Sequence, residues 1–131
     1  DLAEITTDPN PDPRFYEMSI ADAVTSGRPS VIFFATPAFC QTAICGPTMD
    51  FMKEIAPSFP NVNFVHVEVW DNPHEIDGDL SRGKLSPTLD EWGLVTEPWT
   101  FILDGEGLVS AKFEGFATTE ELEGALAAVV E

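Results

Sequence analysis

Two segments in the first half of the chain have the hydrophobic patterns of buried β-strands. The run from Ser30 to Ala35 follows Pro29 and is almost wholly apolar, and its β-branched and aromatic side chains favour a strand covered on both faces. The segment from Asn63 to Trp70 alternates instead. It places Val65, Val67 and Val69 on one face and Phe64, His66, Glu68 and Trp70 on the other.

Helical patterns lie before and between these two strands. Ser19 and Asp22 resemble a capping box that opens a short helix, which Gly27 would end. From about Cys40 to Ile55 the apolar residues fall at mostly helical spacing. Gly46-Pro47 permits a helix to start or kink inside that segment.

The second half of the chain begins with a long polar loop and then alternates helices and strands. The loop is predicted for residues 71–85, and Ser86-Pro87 is typical of a helix start that Gly93 would close. A hairpin is predicted from the strands Trp99–Leu103 and Leu108–Phe113 and the turn residues between them. A capping box at residues 118–121 opens the last helix, whose buried stripe is Leu122, Leu126 and Val129.

This order of elements predicts an α/β fold. A parallel β-α-β unit is followed by a helix, a C-terminal β-hairpin and a covering helix, which together give a central mixed sheet flanked by helices. A right-handed crossover would place Cys40 just past the carboxyl end of the first long strand, where the next helix begins.

Composition and charge restrict the partners. The chain has 131 residues with 44% hydrophobic content, which suits one globular domain. It carries 23 acidic residues against 6 basic ones, for a formal net charge of −17. This charge repels phosphate backbones and anionic lipid surfaces, so we expect no nucleic-acid binding and expect protein partners with neutral or basic surfaces. It also suggests a salt-adapted source or an exported protein.

The first 14 residues have the composition of a flexible tether. The polar, proline-punctuated opening predicts a flexible N-terminal tether over residues 1–14 and a folded domain over residues 15–131. Such a segment is typical of the juncture between a removed leader or membrane anchor and a folded domain, and a plain disordered terminus explains it equally well. We therefore expect an extracytoplasmic protein, periplasmic or at the cell surface, with a membrane tether upstream of residue 1.

The two cysteines, Cys40 and Cys45, are separated by four residues. On a continuous α-helix, residues five apart have Cα atoms roughly 8 Å apart and are rotated by about 140°. A disulfide needs a Cα separation of about 4.4 to 6.8 Å. The pair can therefore close only if the stretch from Cys40 to Ile44 is a loop or a distorted turn. A helix beginning at Cys40 would have to unwind on oxidation.

The segment from Met18 to Glu131 resembles the thioredoxin fold, and within it the exported TlpA-like and redoxin-like thiol-disulfide proteins. The resemblance rests on the segment from Ser19 to Thr36, which leads into the cysteines, and on the segment from Leu94 to Val109, which is similar to that family's cis-proline strand and hairpin.

Several residues take roles from this resemblance. It implies that Cys40 is the nucleophile, Cys45 the resolving cysteine and Pro98 the cis-proline that faces them, with the Thr96 and Glu97 backbone aligning a partner. Phe39 and Trp99 could line a substrate groove, although a core role suits Trp99 equally well. Two features depart from the family: the spacing is Cys-x4-Cys rather than Cys-x-x-Cys, and Ile32 stands where many thioredoxins carry a buried acid.

The expected function is thiol-disulfide exchange between the Cys40/Cys45 pair and protein thiols or disulfides, with no cofactor and no metal. Three alternatives stay open. The pair could be redox-inert or a static structural disulfide. The likeness of the Thr36-Pro37 and Cys45-Gly46 region to certain peroxiredoxins admits a thiol peroxidase, with Cys40 peroxidatic and Cys45 resolving. Copper handling would use both thiolates with sulfur or imidazole ligands from Met49, Met52, His66 or His74.

Overall fold

The computed structural model describes residues 5–6, 8, 11–36, 45–71, 84–85, 87–94, 98–115 and 118–130. It contains four α-helices: α1 Ile20–Val24, α2 Cys45–Ile55, α3 Pro87–Glu91 and α4 Thr119–Ala127. Two short 3-10 helices span Pro13–Tyr16 and Ala56–Ser58. The strands are β1 Ser30–Ala35, β2 Asn63–Glu68, β3 Trp70–Asp71, β4 Lys84–Leu85, β5 Trp99–Leu103 and β6 Val109–Glu114.

The main sheet has four strands in the order β2-β1-β5-β6. β1 pairs parallel with β2 and antiparallel with β5, and β6 pairs antiparallel with β5. This is the predicted mixed sheet, a parallel unit joined to a C-terminal hairpin, so the predicted α/β architecture is confirmed. None of the helices in the described residues is long and apolar enough to cross a membrane.

The two helix-capping boxes predicted from the sequence form in the structure. At the start of α1, the Ser19 hydroxyl accepts a hydrogen bond from the Asp22 N–H, and the Asp22 carboxylate accepts one from the Ser19 N–H. Thr118 and Glu121 make the same reciprocal pair at the start of α4. These caps satisfy N–H groups that a helix start leaves without partners.

The predicted loop over residues 71–85 is wrong at both of its ends. Trp70–Asp71 pairs antiparallel with Lys84–Leu85 as a separate two-stranded sheet, and β2 ends at Glu68 instead of reaching Trp70. Two-residue strands carry too little alternation to be read from a sequence, because their pairing depends on where the chain returns.

The sheet divides the apolar core into two clusters. On one face, α2 and α4 cover a cluster that includes Val31, Phe33 and Ile102. On the other face, α1 and α3 cover a cluster that includes Ile32, Phe34 and Phe101. Every residue of β1 is buried, which confirms the prediction of a strand covered on both faces.

The N-terminal segment contributes to the first of these clusters. Phe15, in the 3-10 helix, is fully buried and meets the Phe33 ring edge-on at a centroid distance of 5.3 Å. Upstream of it, Thr6 and Asp8 are also buried. The Asp8 carboxylate forms an ion pair of 2.8 Å with the Lys53 ammonium of α2. Residues within the expected tether therefore contact the folded domain.

The hairpin between β5 and β6 is closed by Asp104. Its carboxylate accepts hydrogen bonds from the backbone N–H groups of Glu106 and Leu108, at 2.9 and 3.0 Å. Gly107 has a φ of +82°, and a Cβ atom there would lie 2.6 Å from the Val24 carbonyl oxygen. The turn therefore requires glycine at this position, both for its φ and for the close approach of α1.

Candidate active site

Strand ends from both halves of the chain meet at one edge of the four-stranded sheet. In the parallel pair, Ala35 at the end of β1 lies beside Glu68 at the end of β2. In the antiparallel pair, β5 begins at Trp99 opposite Phe34. Pro98 immediately precedes β5, so it stands at this same edge, next to the point where the chain leaves β1.

Pro98 is held there by the neighbouring strand. It is buried, and its carbonyl accepts a hydrogen bond of 2.7 Å from the Gly115 N–H, just after the end of β6. The proline therefore has a fixed place beside the carboxyl end of β1.

Helix α2 begins at the same edge. The helix follows β1 and leads back to the amino end of β2, so its own N-terminus lies at the carboxyl end of β1. Met49, Met52 and Ile55 anchor it by packing into the cluster around Phe33. The first residue of α2 is Cys45, and the backbone therefore brings Cys45 and Pro98 to one edge of the sheet.

Comparison with solved structures identifies the architecture. A secreted disulfide oxidoreductase of Mycobacterium tuberculosis, homologous to E. coli DsbE, matches with a TM-score of 0.60 and 18% identity, over 78% of this chain and 82% of that one. A thioredoxin-family thiol:disulfide interchange protein of Chlorobium tepidum matches with a TM-score of 0.61 and 15% identity, over 82% and 83% of the two chains. Oxidised thioredoxin O2 of Arabidopsis thaliana matches with a TM-score of 0.59 and 19% identity, over 86% and 84%. The chain has the thioredoxin fold.

The fold assignment rests on structural similarity. No protein-family model matches the chain, and no curated protein matches it either. At identities of 15 to 19%, the three structural matches carry the fold alone.

The described part of the thioredoxin fold includes only some of the predicted site residues. Cys40, Phe39, Thr96 and Glu97 lie outside the described residues. Cys45 and Pro98 lie at the predicted edge. Trp99 is half-buried, and its ring stacks on Phe101 at a centroid distance of 5.7 Å in the cluster on the α1 and α3 side of the sheet. Trp99 therefore packs against the apolar core beside the candidate site.

The backbone at the start of α2 favours a negative charge. The first N–H groups of a helix have no partners within the helix, and the aligned peptide dipoles give this end a partial positive charge. The first turn of α2 carries no acidic residue that would oppose this effect. Such a helix start favours the anionic form of a group placed beside it.

Ile32 lies in a wholly apolar setting. It is fully buried in β1 and belongs to the cluster that includes Phe34, Val65 and Phe101. Ile32 stands where many thioredoxins carry a buried acid, and its apolar neighbours would not stabilise a charged side chain there.

His66 in β2 is a buried polar side chain with hydrogen-bond partners in three other segments. Its Nε2 atom lies 2.8 Å from the carbonyl oxygen of Ala35, and its Nδ1 atom lies 2.8 Å from the Tyr16 hydroxyl and 3.5 Å from the Thr6 hydroxyl. Because a carbonyl can only accept, Nε2 carries the proton and Nδ1 accepts from Tyr16. The His66 ring is therefore held at both nitrogens, and its Nδ1 accepts from Tyr16 as long as the ring is neutral.

Burial reinforces the neutral ring. Loss of hydration lowers the pKa of His66 to about 4, and this outweighs the opposing effects of the hydrogen bond to Ala35 and the nearby Asp8 carboxylate. Lys53 lowers the pKa further. Burial likewise raises the pKa of Tyr16, so its hydroxyl remains a donor. The sequence pattern indicated a buried or half-buried histidine, but the partners from the N-terminal segment had no signal in it.

This network bears on the copper alternative. Both His66 nitrogens already have hydrogen-bond partners, and Met49 and Met52 are buried in the apolar core. Within the described ranges, no three His, Cys, Asp or Glu side chains form a group suited to a metal ion. His74 lies outside those ranges.

The arginine positions bear on the peroxidase alternative. That chemistry uses an arginine to orient the peroxide. Arg14 instead forms a two-oxygen hydrogen-bonded ion pair with Asp12, with a shortest contact of 2.6 Å. Arg28 lies just before β1, at the opposite end of a strand about 20 Å long. Arg82 lies outside the described residues.

Proposed function

We propose that this protein is a thiol-disulfide oxidoreductase in which Cys40 and Cys45 exchange electrons with the thiols or disulfides of a protein partner. The observation that carries the proposal is the start of α2 at Cys45, at the same edge of a thioredoxin fold as Pro98. The structures reported above, which include a secreted disulfide oxidoreductase and a thiol:disulfide interchange protein, support the same activity.

The reaction needs only the two cysteines and a partner. One thiolate attacks a sulfur of the partner's disulfide, and a mixed disulfide forms as the second partner sulfur leaves as a thiolate. The other cysteine then attacks the mixed disulfide. The products are a disulfide between Cys40 and Cys45 and a partner that has gained two electrons. The reverse sequence oxidises a partner dithiol.

Two distributions of roles are consistent with this chemistry. In the first, Cys40 attacks and Cys45 resolves, as the family resemblance implies. In the second, Cys45 attacks, and this is favoured by its position at the start of α2, where the partial positive charge acts within the first turn. In both, Pro98 and the backbone of Thr96 and Glu97 align the partner, with Phe39 and Trp99 beside them.

The setting we propose is outside the cytoplasm. A net charge of −17 favours partners that present neutral or basic surfaces. The secreted M. tuberculosis oxidoreductase with the same fold supports an extracytoplasmic site of action. A membrane tether upstream of residue 1 belongs to the same proposal.

The decisive experiment is a titration of the purified protein in glutathione buffers of graded potential, followed by thiol alkylation and mass spectrometry. We expect Cys40 and Cys45 to pass together from dithiol to disulfide within the accessible range. A pair that never closes, or never opens, would contradict the proposal. Peroxide consumption by wild type, lost in Cys40→Ser, would instead favour the peroxidase.

The single variants Cys40→Ser and Cys45→Ser distinguish the two distributions of roles. The variant that retains the attacking cysteine accumulates a mixed disulfide with a model peptide disulfide, because no second thiol resolves it. The rate of alkylation against pH then gives the pKa of the remaining thiol. The attacking cysteine is the one with the lower value.

A further inference from the structure

The carboxyl end of β1 is held by a side chain. Ala35, the last residue of β1, pairs with Glu68, the last residue of β2. The ring of His66, reaching across from β2, donates its Nε2–H to the carbonyl of Ala35 at 2.8 Å. A buried histidine of β2 thus binds the last carbonyl of β1.

The His66 ring is itself fixed from two further directions. Its plane stacks on Phe33 at a centroid distance of 5.1 Å and an angle of 27°. Its Nδ1 accepts from the hydroxyl of Tyr16, which belongs to the N-terminal 3-10 helix. The Tyr16 hydroxyl therefore keeps the proton on Nε2, where it faces Ala35.

We propose that His66 is a positioning residue for the Cys40/Cys45 pair, acting through the Ala35 carbonyl at the end of β1. The inference rests on the proposed function. Ala35 is five residues before Cys40, and the other cysteine begins α2, so β1 and α2 hold the two ends of the chain between them. Closing a disulfide within one chain is favoured when both ends of the intervening segment are held, because the thiols then have a higher effective concentration. Loss of the His66 to Ala35 bond should make the pair harder to oxidise.

Substitution of His66 by glutamine or by asparagine tests the two hydrogen bonds of the ring one at a time. The amide nitrogen of glutamine extends to about the position of Nε2, so His66→Gln keeps a donor for Ala35. The shorter amide of asparagine extends only to about the position of Nδ1, so His66→Asn keeps a partner for Tyr16 and loses the donor. Both variants remove the ring and its stacking on Phe33. They are therefore matched for the loss of ring stacking and differ in size by one methylene group.

The measurement is the equilibrium constant of the Cys40/Cys45 pair with glutathione, in the full chain, with the unfolding midpoint recorded for each variant. We expect His66→Asn to lower the constant for oxidation by about three- to tenfold, because a loosened end of β1 can disfavour closure by no more than about the free energy of one hydrogen bond of ordinary strength. His66→Gln should stay within about twofold of wild type. Leu126→Ala, in the same apolar cluster but on α4, controls for lost stability and should leave the constant unchanged.

Each outcome decides the question. A lowered constant in His66→Asn with recovery in His66→Gln supports the inference. Equal shifts in the two variants, no shift in either, or a shift in Leu126→Ala of the same size would overturn it and leave the oxidoreductase proposal intact. A wild-type pair that never closes or never opens would overturn the proposed function, and the inference with it.

Discussion

Acid should weaken this fold through His66. The ring is buried, neutral and held at both nitrogens by Tyr16 and the Ala35 carbonyl, and burial lowers its pKa to about 4. A proton on Nδ1 would leave it unable to accept from Tyr16 and would place a charge in a buried site. Asp8 offsets this cost in part, and Lys53 adds to it.

The size of the effect follows from the two pKa values. In the unfolded chain His66 has an ordinary pKa of about 6.5. Below that pH the unfolded state binds a proton that the folded state excludes until about pH 4, so the unfolded state gains and stability falls with falling pH. The loss relative to pH 7 is about 1 kcal/mol at pH 5.5 and about 2 kcal/mol at pH 4.5. The contribution of the neutral ring is fully present above about pH 6.5.

The assay is urea unfolding of wild type and His66→Gln at pH 7, 5.5 and 4.5. All other ionisable groups are the same in both proteins, so their effects largely cancel in the difference between the free energies of unfolding. Because glutamine does not titrate, wild type should lose stability relative to the variant by the amounts given above. A difference that stays constant from pH 7 to pH 4.5 would refute the reasoning.

Three further predictions concern stability. Gly107→Ala should destabilise the protein by about 2 to 3 kcal/mol in chemical unfolding, because of its positive φ and the contact with the Val24 carbonyl. The exposed helix residue Gly124, with nothing within 4 Å of an added Cβ, is its control, and Gly124→Ala should stabilise by about 0.5 to 1 kcal/mol. Deletion of residues 1–11 should lower the free energy of unfolding by about 1 to 3 kcal/mol, because it removes the buried Thr6 and the ion pair between Asp8 and Lys53; an unchanged unfolding midpoint would mean that the segment is only a tether. Raising sodium chloride from 0.05 to 1 M should raise the Tm, because a net charge of −17 repels itself at low salt, and a Tm that falls would contradict this account.

The elements of the fold that could be predicted are those whose causes are local. The unbroken apolar run of β1, the capping boxes at Ser19 and Thr118 and the hairpin turn around Asp104 each determine their element within a few residues. The pairing of Trp70–Asp71 with Lys84–Leu85 could not be predicted, because it depends on the chain returning to the same place.

In the candidate site, too, the residues with local sequence motifs could be predicted and the long-range contacts could not. Cys45 and Pro98 are predicted as site residues from short motifs, and the backbone brings both to one edge of the sheet. The network around His66 joins β2, the end of β1 and the N-terminal segment, which lie far apart in the sequence. No local sequence pattern predicts contacts between such distant segments. A segment rich in proline and acidic residues predicts a tether even where Thr6 and Asp8 are buried.

The position of β1 between β2 and β5 also bears on how the protein is made. The residues that β1 pairs with in β5 are roughly 70 positions further along the chain, and contacts of such long range form late in folding. During synthesis, both cysteines leave the ribosome well before Pro98 and the strand that follows it. The nascent chain therefore carries two thiols before the proline that we propose to face them has been synthesised.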